Sequence, residues 1–203
     1  MIMSTNRTRD LPNNERVVEV PYLLNHVVGA YLLDIGADRG DYYTSALKER
    51  GVRVVTCDPW AGAHADYPVR FEDLKTDEKF DTILLLSSLE HFDNSDDNLH
   101  YAETDVSVIR KCREMLTPNG RIIITVPFGK EYIHDDFIQW DNNRLAYVKW
   151  MCEIVPDHEL VARWDSGEWT PVLPNEWRLL RDLEYRANGA LNAAAVYCGV
   201  WRF

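Results

Sequence analysis

The stretch Tyr31-Leu32-Leu33-Asp34-Ile35-Gly36-Ala37-Asp38-Arg39-Gly40 constrains this chain more than any other. It opens with apolar residues over the length of a strand and turns at Gly36 and Gly40. An amphipathic run then leads to Gly51, which can close a helix. A strand that enters a helix through a glycine turn presents free backbone N–H groups. Glycine lets a ligand approach them because it lacks a Cβ and accepts positive φ. The next apolar run, Val52 to Cys57, ends at Asp58, 18 residues beyond Gly40. A carboxylate at that distance stands where a Rossmann-like unit accepts hydrogen bonds from ribose hydroxyls.

The remaining pattern extends this unit. Val69-Arg70-Phe71 reads as a short third strand leading to Glu72 and Asp73, and Phe80 to Leu86 as a fourth, apolar enough to be buried on both faces. From Asp97 a helix is predicted to carry Leu99, Ala102, Val106, Ile109 and Leu116 on one side, with Thr117-Pro118-Asn119-Gly120 as the turn that ends it. Arg121 to Val126 is the next buried strand. Beyond it the pattern gives a helix from about Asn143 to Cys152, a strand near Glu159 to Trp164 and a final strand from Ala193 to Trp201. Before the glycine turn, Arg16 to Val20 reads as extended. Pro21 then opens a helix to Val28 that either packs on the sheet edge or lies over a ligand as a lid. Residues 1–15 read as a flexible arm, and 16–203 as one α/β domain built on a doubly wound, Rossmann-like sheet.

Two ligand classes suit such a turn. A dinucleotide site wants G-x-G-x-x-G, and Asp38 stands where its middle glycine belongs. Asp34-x-Gly36-x-x-x-Gly40, Asp58, Phe80-Asp81-x-Ile83, Leu89-Glu90-His91 and Leu116-Thr117-Pro118-Asn119-Gly120-Arg121 together resemble the class I S-adenosylmethionine-dependent methyltransferases. Within that class they are similar to the small-molecule group that includes ubiquinone-type, sugar and natural-product enzymes. The resemblance covers Tyr31 to Gly129. It implies a seven-stranded sheet, mostly parallel, whose last strand inserts antiparallel beside the fifth.

It also implies roles. Asp34, Gly36, Ala37, Asp38 and Gly40 would surround the methionine part of S-adenosyl-L-methionine, although the family normally carries glycine at position 38. Asp58 would bind the ribose, Asp73 would receive the adenine amino group, and Trp60 would pack on the adenine. Ser87 falls at the end of the fourth strand, where catechol-type relatives hold magnesium with an aspartate; no metal is expected here. Glu90 and His91 lie just past that strand, at the topological switch point of the sheet. Either can take the proton from an alcohol nucleophile, or serve instead as a turn cap and a backbone-bonded scaffold residue. His134, beyond the fifth strand, is the second candidate base.

Charge and composition narrow the partners. A net charge of −11 over 203 residues argues against a nucleic-acid backbone as substrate, because phosphate contacts need clustered Lys and Arg. No apolar run approaches the roughly 20 residues that span a bilayer. Cys57, Cys112, Cys152 and Cys198 are widely spaced, as reduced cysteines of a cytoplasmic protein are. The expected partner is a small-molecule acceptor, with methyl transfer to a sugar or natural-product hydroxyl; the alternatives are a non-catalytic cofactor-binding scaffold, or transfer to nitrogen or a carboxylate by alignment without a general base. The oligomeric state cannot be read from the chain.

Overall fold

Apolar runs that alternate sides without interruption become the centre of a sheet covered on both faces. The computed structural model describes residues 14–37, 41–60, 65–92, 101–133 and 137–203. Its strands are β1 (Tyr31–Ile35), β2 (Arg53–Cys57), β3 (Phe80–Leu86), β4 (Leu116–Pro127), β5 (Tyr132–Ile133), β6 (Ile138–Gln139), β7 (Val155–Asp165), β8 (Glu168–Val172) and β9 (Ala195–Arg202). The helices are α1 (Arg16–His26), α2 (Asp41–Glu49), α3 (Tyr101–Glu114) and α4 (Asn142–Met151). Seven strands form the main sheet in the order β2-β1-β3-β4-β9-β7-β8, and β5 pairs with β6 alone. The first four of that order run parallel, β9 is antiparallel to both β4 and β7, and β8 is antiparallel to β7. This is a Rossmann-like sheet with an inserted antiparallel strand, the arrangement the resemblance implies.

Alternate residues feed two cores. Leu33, Ile35, Ile83, Leu85, Ile122, Ile124, Tyr197 and Trp201 point to the α3/α4 side. Leu32, Leu84, Leu86, Ile123, Cys198 and Val200 meet Val20, Leu23, Tyr43 and Leu47 of α1 and α2. On the first side a buried ion pair ties α3 to α4: Arg144 donates to Asp105 Oδ2 from Nη2 at 2.6 Å and from Nε at 2.8 Å. At the start of the sheet, Asp81 Oδ2 accepts the amides of Ala30 at 2.9 Å and Tyr31 at 3.1 Å, which sets the register of β1 against β3.

Four local expectations are corrected. Arg16 to Val20 is helical, because α1 runs through Pro21; burial of Glu19, Val20, Tyr22 and Leu23 outweighs the one backbone bond that proline removes. Val69 to Phe71 is not a strand. The chain makes a single bridge, Cys57 to Tyr67, and then a 3-10 turn over Phe71–Asp73. Thr117 to Gly120 is no helix end, since α3 stops at Glu114 and β4 already begins at Leu116. The seventh strand of the sheet is β8, joined to β7 by Ser166 and Gly167 with φ of 52° and 101°. A serine–glycine pair at positive φ is the hairpin signal that could have identified it.

Candidate functional site

The strand ends of β1, β2 and β3 converge where the chain leaves the sheet. Asp34 is fully buried within β1, and its Oδ2 accepts the Tyr43 hydroxyl of α2 at 2.5 Å. Its Oδ1 is buried with no hydrogen-bond partner among the described residues. Burial pushes the Asp34 carboxyl up to about 7, against the opposing pull of Tyr43 and Arg16. Gly36 follows at φ 76°, its N–H donating to the Cys57 carbonyl at 2.9 Å, so the turn is tied to the end of β2. A Cβ on Gly36 would lie 2.5 Å from the Cβ of Ser88. The glycine is therefore required by the chain's own packing as well as by any ligand. Ala37 is half-buried beside it.

Asp58 is buried at the end of β2 and accepts the Trp60 amide on Oδ1 at 2.8 Å. One carboxylate oxygen thus shapes the loop, and Trp60 stands 79% exposed above it. Asp73 is exposed on the 3-10 turn that replaces the expected strand. Lys111 of α3 holds this turn, donating to the carbonyls of Phe71, Glu72 and Leu74 at 2.7, 2.8 and 2.9 Å. An ammonium group has three donors, and all three are used.

Past β3, Ser87 takes φ 44°, a strained backbone for a residue with a side chain. Its N–H donates to Thr125, and its hydroxyl donates to Glu19 Oε1 at 2.6 Å. Glu19 is fully buried on α1, and its other oxygen receives Arg16 at 2.7 Å. Helix α1 is thus latched across the end of β3. A cavity of about 340 Å³ opens beside this latch, lined by Glu15, Arg16, Ser87, Glu90, His91 and Phe137, among others. Glu90 is 4% exposed, and burial raises its carboxyl well above the usual range. His91 is exposed at the same wall, its ring 5.9 Å from that of Phe137, which in turn lies 5.0 Å from Tyr185.

The structure therefore brings Ser87, Glu90 and His91 to one cavity. Ser88, next to Ser87, packs on Gly36 of the Asp34 turn. Asp38, Gly40 and His134 lie outside the described residues. Sequence reasoning missed Glu15, Arg16 and Glu19. The signal was present as Glu19 inside the otherwise apolar stretch Val17 to Leu24, with Glu15 and Arg16 just before it, and it was lost when Arg16 to Val20 was read as extended. The missed Tyr185 and Arg186 sit in a segment with no periodicity to mark them.

The residues present suit S-adenosylmethionine. A buried carboxylate oxygen without a partner at the end of β1, a tight glycine turn and a second carboxylate at the end of β2 supply acceptors for its ammonium and ribose hydroxyl groups. Comparison with known proteins agrees with this. Residues 12–167 match the profile of a methyltransferase domain. None of the curated proteins matches the sequence. Among solved structures, the chain is similar to the N-methyltransferase NodS from Bradyrhizobium japonicum, bound to S-adenosyl-L-homocysteine. The two share 14% identity and a TM-score of 0.60 over 99% of this chain and 92% of that one. A 1,6-didemethyltoxoflavin N1-methyltransferase from Burkholderia thailandensis matches at 17% identity and TM-score 0.56, over 97% and 80% of the two chains. The mitomycin 7-O-methyltransferase MmcR matches at 12% and 0.56, over 93% of this chain and 54% of its own. At these identities the likeness is one of fold.

Proposed function

The chain belongs to the methyltransferase domain family, whose cofactor is S-adenosyl-L-methionine, and from that premise we propose that it methylates a hydroxyl of a small sugar-like or natural-product acceptor. The observation that carries the reading is the cavity at the end of β3, which sets Glu90 and His91 beside the serine pair that borders the Asp34–Gly36 turn. When bound, the cofactor supplies an electrophilic methyl group on a sulfonium. Asp34 with the Gly36–Ala37 turn would hold its methionine end, Asp58 its ribose, and Trp60 with Asp73 its adenine. Asp38 and Gly40 belong to the same proposed cradle.

Methyl transfer of this kind needs an aligned nucleophile more than it needs strong acids or bases. The latch from α1 and the aromatic wall of Phe137 and Tyr185 narrow the cavity and fix the acceptor's approach. An alcohol must also lose its proton. His91 is proposed to take it, since it lines the cavity from an exposed position while Glu90 is buried. His134 is the alternative base. The whole of residues 16–203 acts as one domain in this reading, in the cytoplasm.

The test is turnover of a panel of hydroxylated acceptors. His91→Ala should lower it by roughly 10²–10⁴-fold, the usual size of general-base catalysis. Its affinity for S-adenosylhomocysteine, measured by calorimetry, should stay unchanged, and the acidic limb of its pH–rate profile should disappear. Unchanged turnover in both His91→Ala and His134→Ala would remove the general base from the reading. It would point to a nucleophile that needs none.

A further inference from the structure

We propose that the acceptor is a planar aromatic ring carrying the reacting hydroxyl, a phenol or hydroxylated heteroaromatic, held against Phe137 and Tyr185. The inference rests on the methyl-transfer reading above and narrows its acceptor from small hydroxylated molecules in general to aromatic ones.

One wall of the cavity is a row of flat groups. The ring centroid of His91 lies 5.9 Å from that of Phe137, which lies 5.0 Å from that of Tyr185, and the Arg186 guanidinium sits over Tyr185 at 5.6 Å. All four residues line the cavity. They come from three separate stretches: the turn after β3, the residue that precedes β6, and the loop between Leu180 and Ala187. His91 and Arg186 are exposed, and Phe137 and Tyr185 are half-buried, so the row keeps ring surface that the chain's own packing does not cover.

Accessible rings at a concave wall offer dispersion and quadrupole contacts to a guest of the same kind. The tilts select its shape. Phe137 stands at 56° to His91 and 55° to Tyr185. A flat guest stacked on Phe137 therefore meets both neighbours obliquely, and stacked and edge-on pairs are the two favoured aromatic geometries. A puckered saturated ring has neither a π face nor an aromatic edge.

The polar groups at the cavity argue against a polyol. Every hydroxyl of a sugar brings one donor and two acceptor sites that need partners once water is excluded. Arg16 is paired with Glu19 at 2.7 Å, and the Ser87 hydroxyl gives its proton to the same carboxylate at 2.6 Å. The Oε2 atoms of Glu15 and Glu90 are buried away from any guest, and Glu15 Oε1 accepts from Asn192 at 3.3 Å. His91 and Arg186 are the exposed polar side chains of this wall, enough for one or two hydroxyls but not for the full set on a sugar.

The chemistry of the step agrees. A phenolic hydroxyl ionises at about pH 10, as the tyrosine side chain does, and an aliphatic alcohol holds its proton far more firmly. A single imidazole therefore suffices as its base. The proton passes to the His91 ring, and the electron pair left on oxygen forms the new bond to the methyl carbon as the carbon–sulfur bond breaks.

The experiment titrates phenol, cyclohexanol and methyl glucoside into the full chain carrying ring-¹³C-labelled Phe and Tyr, following the resonances of Phe137 and Tyr185. Phenol and cyclohexanol share size and a single hydroxyl and differ in the π system. Phenol should shift both rings and saturate at a concentration roughly tenfold below the other two, the worth of two aromatic pairs. Phe137→Leu and Tyr185→Leu keep an apolar side chain and should each cut that preference by about threefold, whereas Phe137→Tyr should keep it. Tyr185→Leu, on the outer loop, serves if Phe137→Leu does not fold. Equal saturation by phenol and cyclohexanol, tighter binding of the glucoside, an undiminished preference in the leucine variants, or no response to any of the three would overturn the inference. Calorimetry with S-adenosylhomocysteine on the same samples separates the two proposals. Phenol selection without cofactor binding would leave the aromatic site standing and remove the methyl-transfer reading. Cofactor binding without phenol selection would do the reverse.

Discussion

Burial holds a proton on Asp34 that the unfolded chain would release. Its carboxyl titrates at 3.8 in its ordinary state and at about 7 in the folded protein, even though Tyr43 donates to it at 2.5 Å. Between those values the native state binds the proton and the unfolded state does not. The stabilisation is whole below about pH 4 and drains away as pH rises to about 7, by up to roughly 4 kcal/mol for one fully buried group. Asp34→Asn keeps an acceptor for Tyr43 and removes the ionisation. At pH 8 it should melt above the natural protein, while near pH 4 the two should converge. Glu90, raised by burial as well, leaves a slope of the same sign in the variant. Thermal melts at both pH values check this, and equal melting at pH 8 would refute it. A group costly to the empty fold is worth keeping where a positive ligand group restores its charge.

The 3-10 turn over Phe71–Asp73 survives as an element through one side chain. Lys111 satisfies three carbonyls there with a tetrahedral ammonium. A planar guanidinium cannot reach the same three oxygens. Lys111→Met should therefore lose about 1–3 kcal/mol, and Lys111→Arg should recover little of it. Hydrogen exchange at the amides of 71–74 should rise in both variants while β3 stays protected. No reading of the sequence shows this clamp, because Lys111 sits in a helix 37 residues past Leu74 and its partners are backbone. The same contrast explains what else was legible. β1, β3 and β4 are continuous apolar runs since both their faces are covered, and that pattern is local. α1 was misread because Pro21 signals a helix start and nothing nearby reports that Glu19 will be buried against Ser87. The Asp34, Gly36, Asp58 and Glu90–His91 positions were legible because chemistry fixes their spacing. Glu15 and Arg186 were not, since they meet only after the chain has crossed the whole sheet.

At the scale of the molecule, β9 joins two halves of the sheet. It pairs with β4 on one side and β7 on the other, and all its residues from Ala195 to Trp201 are buried. Inside it a relay runs from Trp201 Nε1 to the Tyr197 hydroxyl at 2.9 Å, and from there to Glu159 of β7 at 2.7 Å. Gly199 leaves the room for it: a Cβ there would lie 2.4 Å from the Tyr197 hydroxyl oxygen and 2.6 Å from Trp201 Nε1. Gly199→Ala should cost roughly 2–4 kcal/mol, the sum of overpacking and a stranded buried donor, read as a lower urea midpoint. A midpoint within error of the natural protein would show that the relay can shift aside. The position of β9 also bears on how the protein is made. It lies later in the chain than either strand it connects, so during synthesis β4 and β7 leave the ribosome with open edges. Those edges stay available to other nascent chains until residues 195–202 have emerged. The interval is set by translation speed, and slowing or pausing the ribosome after β7 would lengthen the time in which the unfinished chain needs a chaperone.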